Sequence, residues 1–372
     1  MKLLVVTDDY TGALDTGVQF TNEGISTCVS DRLAAGSDVV VIDTDTRSAS
    51  PNAAYEAVYG ITKAAKEQGF THFYKKLDSV MRGNIGAELS AFMDALGLES
   101  LPLLPAYPDN GRLTIGGVQY VDGVSLEESH AAKDPFSPPR YSSISRIIAQ
   151  QTDRTGIEVI DASSNEDLRE AALRIDITAT AGCAGFAAQL AALLPFKRKE
   201  RRAYSPPEEY AVISGSLHPA SLEQISYAVD HGFNLHLIDT DFNSGEYQLD
   251  IPPFENRLMV ASARSSDDIL LTNAREARKK VGESLAQIAK EYAQQGKTLV
   301  VFGGDTLKQI IALMDLREII PVRELMAGVV LSHSKKGHAF VSKSGGFGAK
   351  DAILQIDRAL CSPSERLSAH QT

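Results

Sequence analysis

A short apolar run that stops abruptly on two aspartates constrains this chain more than anything else in it. Met1 to Val18 reads MKLLVVTDDYTGALDTGV. Lys2 to Val6 is β-branched and leaves no room for a helix, so it reads as a buried parallel strand. Gly12 to Phe20 then takes helical spacing, with Leu14, Val18 and Phe20 as its apolar positions. In open parallel sheets ligands sit at the carboxyl ends of the strands. The unfilled N–H groups of a following helix attract anions or sugar oxygens. A single aspartate at such a junction would cap the helix. Asp8 and Asp9 together, with Asp15 further on, point to a polar-ligand site.

The next strand ends of the first half also carry charge. Asp38 to Asp43 is a strand that runs into Asp43-Thr44-Asp45-Thr46-Arg47-Ser48. Arg47 among hydroxyls suits a bidentate clamp on a carboxylate or phosphate, or else an ion pair with Asp43 or Asp45. Asn52 to Gln68 is an Ala-rich helix, and Phe70 to Leu77 a strand within FYKKLDSVMRGNIGAEL. Lys75, Lys76, Arg82, Gly83 and Asn84 there form a basic turn before a helix over Ile85 to Leu96. Strand alternation sends Lys75 and Lys76 to opposite faces, so at most one reaches a site. Leu101 to Ala106 is another strand, and Thr114 to Tyr120 with Val121 to Ser125 a β-ribbon over the strand ends. Asp134 to Pro139 is a loop. A helix opens at Ala181, where Cys183 reads as a packed small residue.

Lys197, Arg198, Lys199, Arg201 and Arg202, followed by Pro206-Pro207, mark a connector. The expected domains are therefore 1–200 and 208–372, in a chain of 372 residues that is too long for one ordinary core. Three strand–turn–helix junctions follow. Ala211 to Ile213 runs into Ser214-Gly215-Ser216, Thr298 to Phe302 into Gly303-Gly304-Asp305-Thr306, and Gly337 to Lys343 into Ser344-Gly345-Gly346-Phe347-Gly348. Three glycine corners in one domain imply close backbone approach to a polyanion. None fits the P-loop or the dinucleotide fingerprint. The fold class expected is α/β in two domains: an N-terminal parallel doubly wound sheet and a C-terminal mixed α/β nucleotide-binding domain.

A formal net charge of −11 argues against nucleic acid or an anionic membrane as partner. The sequence has no apolar run of the ~18 residues a membrane span needs. The opening strand does not read as a signal peptide. Three scattered cysteines suit reduced thiols in the cytoplasm, and the histidines form no zinc pattern.

The motifs TDDYTGALDTG, DTDTR, KKLDSVMRGNIGAEL, PAYPDNGR, SGSLHPAS, VFGGDT and SKSGGFGAKD occur in this order nearly end to end. In this the chain resembles the four-carbon acid sugar kinases, which phosphorylate threonate, erythronate or 3-oxo-tetronate with ATP. The resemblance implies a sugar-acid-binding N-terminal domain, a nucleotide-binding C-terminal domain and chemistry in the cleft between them. The implied sugar-acid contacts are Asp8, Asp9, Arg47, Arg82, Gly83, Asn84 and Ile85, with Asp8 or Asp9 acting on the terminal hydroxyl. The implied nucleotide contacts are Ser214, Ser216, Gly303, Gly304, Asp305, Thr306 and Gly346. ATP is the expected cofactor, with Mg²⁺ bridging its phosphates. Asp305 and Asp351 are metal candidates, each equally readable as a helix cap. The expected partners are a sugar acid and ATP, with no nucleic acid or membrane, and a homodimer is one open oligomeric state.

Two other readings stand beside this one. Asp43 to Arg47 resembles the Asp-x-Asp-x-Thr/Val pattern of haloacid-dehalogenase phosphatases, with Arg47 in the last position, which would make a phosphatase. A non-catalytic sugar-acid or nucleotide sensor is the other.

Overall fold

The computed structural model describes residues 1–33, 36–133, 138–200, 204, 206, 208–238, 249–264, 274–344 and 346–361. Residues 134–137 of the expected loop, Arg201, Arg202 and Pro207 of the connector, and Gly345 lie outside the described residues. The chain divides into two compact units, Met1–Glu200 and Arg201–Thr372.

The first unit runs β1 (Leu3–Thr7), α1 (Tyr10–Asn22), β2 (Thr27–Ser30), β3 (Val39–Asp43), α2 (Pro51–Glu67), β4 (His72–Lys76), α3 (Ile85–Leu96) and β5 (Leu101–Leu104). A small antiparallel sheet follows, of β6 (Arg112–Ile115), β7 (Val118–Val121) and β8 (Val124–Ser125). The unit closes with α4 (Ile144–Ala149), β9 (Ile157–Val159), α5 (Asn165–Arg174), β10 (Ala179–Gly182) and α6 (Ala184–Leu193). Its main sheet has the order β2-β3-β1-β4-β10-β5-β9, every pair parallel. Parallel strands covered on both faces read as continuous apolar runs, which is why Leu3 to Val6 shows no alternation. Leu4 and Val6 pack with Val58 of α2 and with Leu89 and Phe92 of α3. Leu3 and Val5, of the other parity, are equally buried, and α1 packs against α6 across the opposite face.

Ala179 to Gly182 departs from expectation. It is a strand wedged between β4 and β5 rather than the opening of a helix. Three of its four residues are Ala or Gly, which are depleted in strands, and pairing on both sides makes them one. The small sheet lies where the ribbon was expected: Gln119 Nε2 donates to the Ser79 and Pro105 carbonyls beyond β4 and β5.

The second unit contains β11 (Tyr210–Ser214), α7 (Pro219–Asp230), β12 (Asn234–Leu237), β13 (Leu258–Ala261), α8 (Ala274–Gln294), β14 (Thr298–Phe302) and α9 (Gly304–Leu313). It ends with β15 (Glu318–Met326), β16 (Val329–Ser334), β17 (Ala339–Lys343) and α10 (Ala352–Cys361). The strand order is β12-β13-β11-β14-β17-β16-β15, parallel from β12 to β17 and antiparallel beyond it. The mixed sheet arises because a hairpin, β15–β16, precedes β17. Tyr210, Val212, Val300, Phe302 and Val341 pack under Ile225 of α7 and Ile353 and Ile356 of α10.

Candidate functional site

From β1 the chain of the first unit places β2 and β3 on one side and β4 on the other, so the order reverses between β1 and β4. A crevice outside the strand ends opens at such a reversal. Three loops deliver side chains there: Asp8 and Asp9 after β1, Arg47 after β3, and Asp78 and Arg82 after β4. Arg47 is the hub. Its Nε donates to Asp8 Oδ2 at 2.7 Å and its Nη2 to Asp9 Oδ1 at 2.9 Å, with Asp78 Oδ1 at 3.3 Å. Of the two readings of Arg47, the ion pair exists, but with Asp8, Asp9 and Asp78 rather than Asp43 or Asp45. The side chain keeps 20% of its exposure, so a ligand can reach it.

Asp9 is the N-cap of α1 as well as a member of this cluster. Its Oδ1 accepts from Gly12 N at 3.1 Å and its Oδ2 from Thr11 Oγ1 at 2.6 Å. Burial works to raise its pKa, but Arg47, Lys76 and the Thr11 hydroxyl outweigh it and hold the carboxyl below its ordinary value. Asp8 differs. It is buried, one oxygen is taken by Arg47, and Oδ1 has no hydrogen-bond partner. An orphaned buried carboxylate oxygen is costly unless something binds it.

Asp78 holds Arg82 in a fork: Oδ2 accepts from Nε at 2.8 Å and Oδ1 from Nη2 at 2.9 Å. Burial opposes ionisation of Asp78, but Arg82 and Arg47 beside it press its pKa far below the usual carboxylate range. Gly83 has a φ of +88°, and a Cβ there would lie 3.2 Å from Arg47 Cγ, so only glycine lets the two loops meet so closely. Asn84 Nδ2 donates to the Thr46 and Ala49 carbonyls at 2.7 and 2.9 Å, tying the Arg47 loop to the start of α3. Ile85 is the buried first residue of that helix.

The two lysines separate as strand alternation requires. Lys75 forms a fully buried pair with Glu88 of α3 at 2.7 Å, and Thr46 Oγ1 donates to the same carboxylate at 2.6 Å. Lys76 turns to α1: a Cβ on Gly12 would lie 3.3 Å from its Nζ. Burial works to lower the Lys76 pKa, yet Cys183, Asp8, Asp9 and Asp15 raise it overall. Cys183 is fully buried and its thiol is pushed up to about 12, chiefly by desolvation, so it is no nucleophile.

In the second unit the order reverses between β11 and β14, and the three glycine corners follow the adjacent strands β11, β14 and β17. They touch. A Cβ on Gly215 would strike Thr306 Oγ1, and one on Gly303 would lie 3.5 Å from Ser216 Cβ. One on Gly346 would lie 3.4 Å from His218 Nε2. Gly303, with φ 104°, ends β14 and caps α9 with no side-chain bond, so Gly304, Asp305 and Thr306 are that helix's first turn. Ser216 Oγ accepts from His218 N at 3.4 Å. Ser214 Oγ is buried without a partner. Gln224 of α7 braces the third corner, its Nε2 donating to the carbonyls of Phe347, Gly348 and Ala349 at 2.8–3.0 Å.

Lys76 and Asp78 lie in the turn the sequence marked, though neither was assigned a contact, and Glu88 and Gln224 were not singled out at all. The Asp78–Arg82 spacing of four was a readable cue. The others depend on strand order and helix facing. Among the described residues, no three His, Cys, Asp or Glu side chains gather as a metal site, and no helix is long and apolar enough to cross a membrane.

Residues 3–184 match the family model of a sugar-binding N-terminal domain, and residues 211–353 that of a nucleotide-binding C-terminal domain. A D-threonate kinase of Salmonella typhimurium is 26% identical, the match spanning 97% of this chain and 100% of the relative. A D-erythronate kinase of Heliobacterium modesticaldum is 35% identical over 41% of this chain and 36% of its own length. A solved structure from Salmonella typhimurium superposes with a TM-score of 0.76 at 21% identity, covering 96% of this chain and 99% of that one, which shows a shared fold.

Proposed function

The chain belongs to the four-carbon acid sugar kinase family, and from that membership we propose that it transfers the γ-phosphate of ATP to the terminal hydroxyl of a threonate- or erythronate-type acid. The observation that carries this reading is the pairing of two unlike sites. One is a cluster of acidic and guanidinium groups with an orphaned Asp8 oxygen, and the other a set of three touching glycine corners.

In phosphoryl transfer the protein positions groups and neutralises charge. Arg47 and Arg82 would take the substrate carboxylate, each exchanging part of its hold on an aspartate for it. Gly83, Asn84 and Ile85 shape that end of the pocket. Asp8 Oδ1 accepts the terminal hydroxyl and orients or takes its proton. Asp9, whose two oxygens already serve Gly12, Thr11 and Arg47, positions Arg47 and accepts from a further hydroxyl. In the second unit, Ser214, Ser216, Gly303, Gly304, Asp305, Thr306 and Gly346 receive the nucleotide, and the N–H groups opening α9 face its phosphates. Transfer requires the γ-phosphate so held to meet the hydroxyl held at Asp8.

Mg²⁺ keeps several waters and binds largely through phosphate oxygens, so a single carboxylate at the corner, Asp305, is a sufficient protein contribution. When bound, it neutralises the charge of the β- and γ-phosphates.

The test is ADP release from Mg-ATP over a panel of C3 to C6 sugar acids. A four-carbon acid should give the highest kcat/KM. Phosphate release from phosphorylated acids without ATP, or ligand binding with no ADP formed across the panel, would overturn the reading.

A further inference from the structure

The three strands that end in glycine corners finish in register. Ser214 of β11 stands beside Phe302 of β14, and Phe302 beside Lys343 of β17. Lys343 is thus a cation set into the strand-end row beneath the corners, and its side chain is fully buried. Its Nζ donates to the Ser344 carbonyl at 2.9 Å and lies 3.5 Å from Ser221 Oγ in the first turn of α7. The ammonium sits 4.5 Å from the centroid of the Phe302 ring. Its backbone carbonyl accepts from Gly303 N at 3.1 Å, and a Cβ on Gly348 would lie 3.8 Å from its Cε. The residue thus meets the second corner through its backbone carbonyl and the third through its side chain, and its ammonium reaches the first turn of α7, the helix that follows the first corner.

Placing an amine there has a cost, since burial disfavours the charged form and pushes its pKa down to about 7. A methionine would fill the same volume against Phe302 without that cost. The lysine makes sense if something anionic enters the site, and the orphaned Ser214 hydroxyl in the same row shows a second group prepared for a ligand. We propose that Lys343 is the phosphate-binding cation of the second unit, its ammonium moving from the Ser344 carbonyl onto a polyphosphate oxygen when the nucleotide enters the corners. This rests on the ATP reading above and adds to it a residue whose role is positive charge, where the corners supply backbone dipoles and hydroxyls.

The experiment compares Lys343→Met with the unaltered chain, using adenosine, ADP and ATP as calorimetric ligands and the melting temperature of each unliganded protein. Removing a charge-assisted phosphate interaction should weaken ADP and ATP by about 10- to 100-fold. Adenosine affinity should stay within about twofold, and the melting temperature should not fall, because a buried amine has been removed. Unchanged ADP and ATP affinity overturns the proposal. So does parallel loss of adenosine and ATP with a lowered melting temperature, which marks Lys343 as a structural prop. Lys343→Gln, read the same way, decides the matter if Lys343→Met does not fold. If the unaltered chain binds no adenine nucleotide, the ATP reading itself fails and takes this inference with it. That outcome is distinct from normal binding by both proteins.

Discussion

Asp8 and Asp9 are neighbours of the same type, yet their surroundings give them different work. Asp9 accepts three hydrogen bonds and caps α1, whereas Asp8 keeps one oxygen unpartnered. Asp8→Asn should therefore lower kcat by about 10²- to 10⁴-fold, the range for a lost acid–base group, with the ATP KM little changed. Asp9→Asn should chiefly destabilise the fold, by about 1 kcal/mol for the weakened cap and by more where the Arg47 guanidinium no longer meets a charged partner. Steady-state kinetics and thermal melts on both variants would contradict this if the two effects were exchanged. Arg82→Ala should raise the sugar-acid KM about 10- to 100-fold, as expected for a charge-assisted interaction, while ATP binding is kept. Equal loss for both substrates would remove Arg82 from the sugar-acid site. From the sequence, the aspartate pair and the two arginines were legible as chemistry-bearing. Which aspartate keeps an unpartnered oxygen was not, because that depends on Arg47, 38 residues further along the chain from Asp9.

The junctions between strand and helix were the most legible elements, since a strand end, a glycine and a helix start leave a local signature. Gly303 shows why it is local: a φ of 104° is open to glycine and strained for other residues. Gly303→Ala should cost about 1–3 kcal/mol and raise the ATP KM without altering the sugar-acid KM, measured by melting and by initial rates. β10 and the β15–β16 hairpin were not legible. The first is too short and too small-sided to announce itself, and the second has no role in the corner pattern that organised the rest. Lys75 and Glu88 were equally hidden, because a buried ion pair between a strand and a helix leaves no periodic trace. The loop after β4 also carries a pH signature. Asp78 and Asp9 both have depressed pKa values when folded, so the stability they add is complete above the unfolded carboxylate value and is lost on acidification. Unfolding free energy should fall as pH drops from about 5 towards 2, and Asp78→Asn should flatten that limb.

At the scale of the molecule, each unit has its candidate site at the strand-order reversal of its own sheet: β1 against β4 in the first, β11 against β14 in the second. The fold class and the division of labour were readable because each half repeats strand–corner–helix with a different chemistry at the corner. Strand order was not readable, and it is strand order that brings Asp8, Arg47 and Asp78 into one cluster and the three glycine corners together. The most direct measurement is a crystal structure of the chain with ADP and a four-carbon sugar acid bound together. The nucleotide should lie on the corners at Ser214, Gly303 and Gly346, with the acid at Asp8 and Arg47. Nucleotide lodged in the first unit at Asp8 and Asp9, or in the second unit away from Gly303 and Gly346, would contradict the assignment of the two sites.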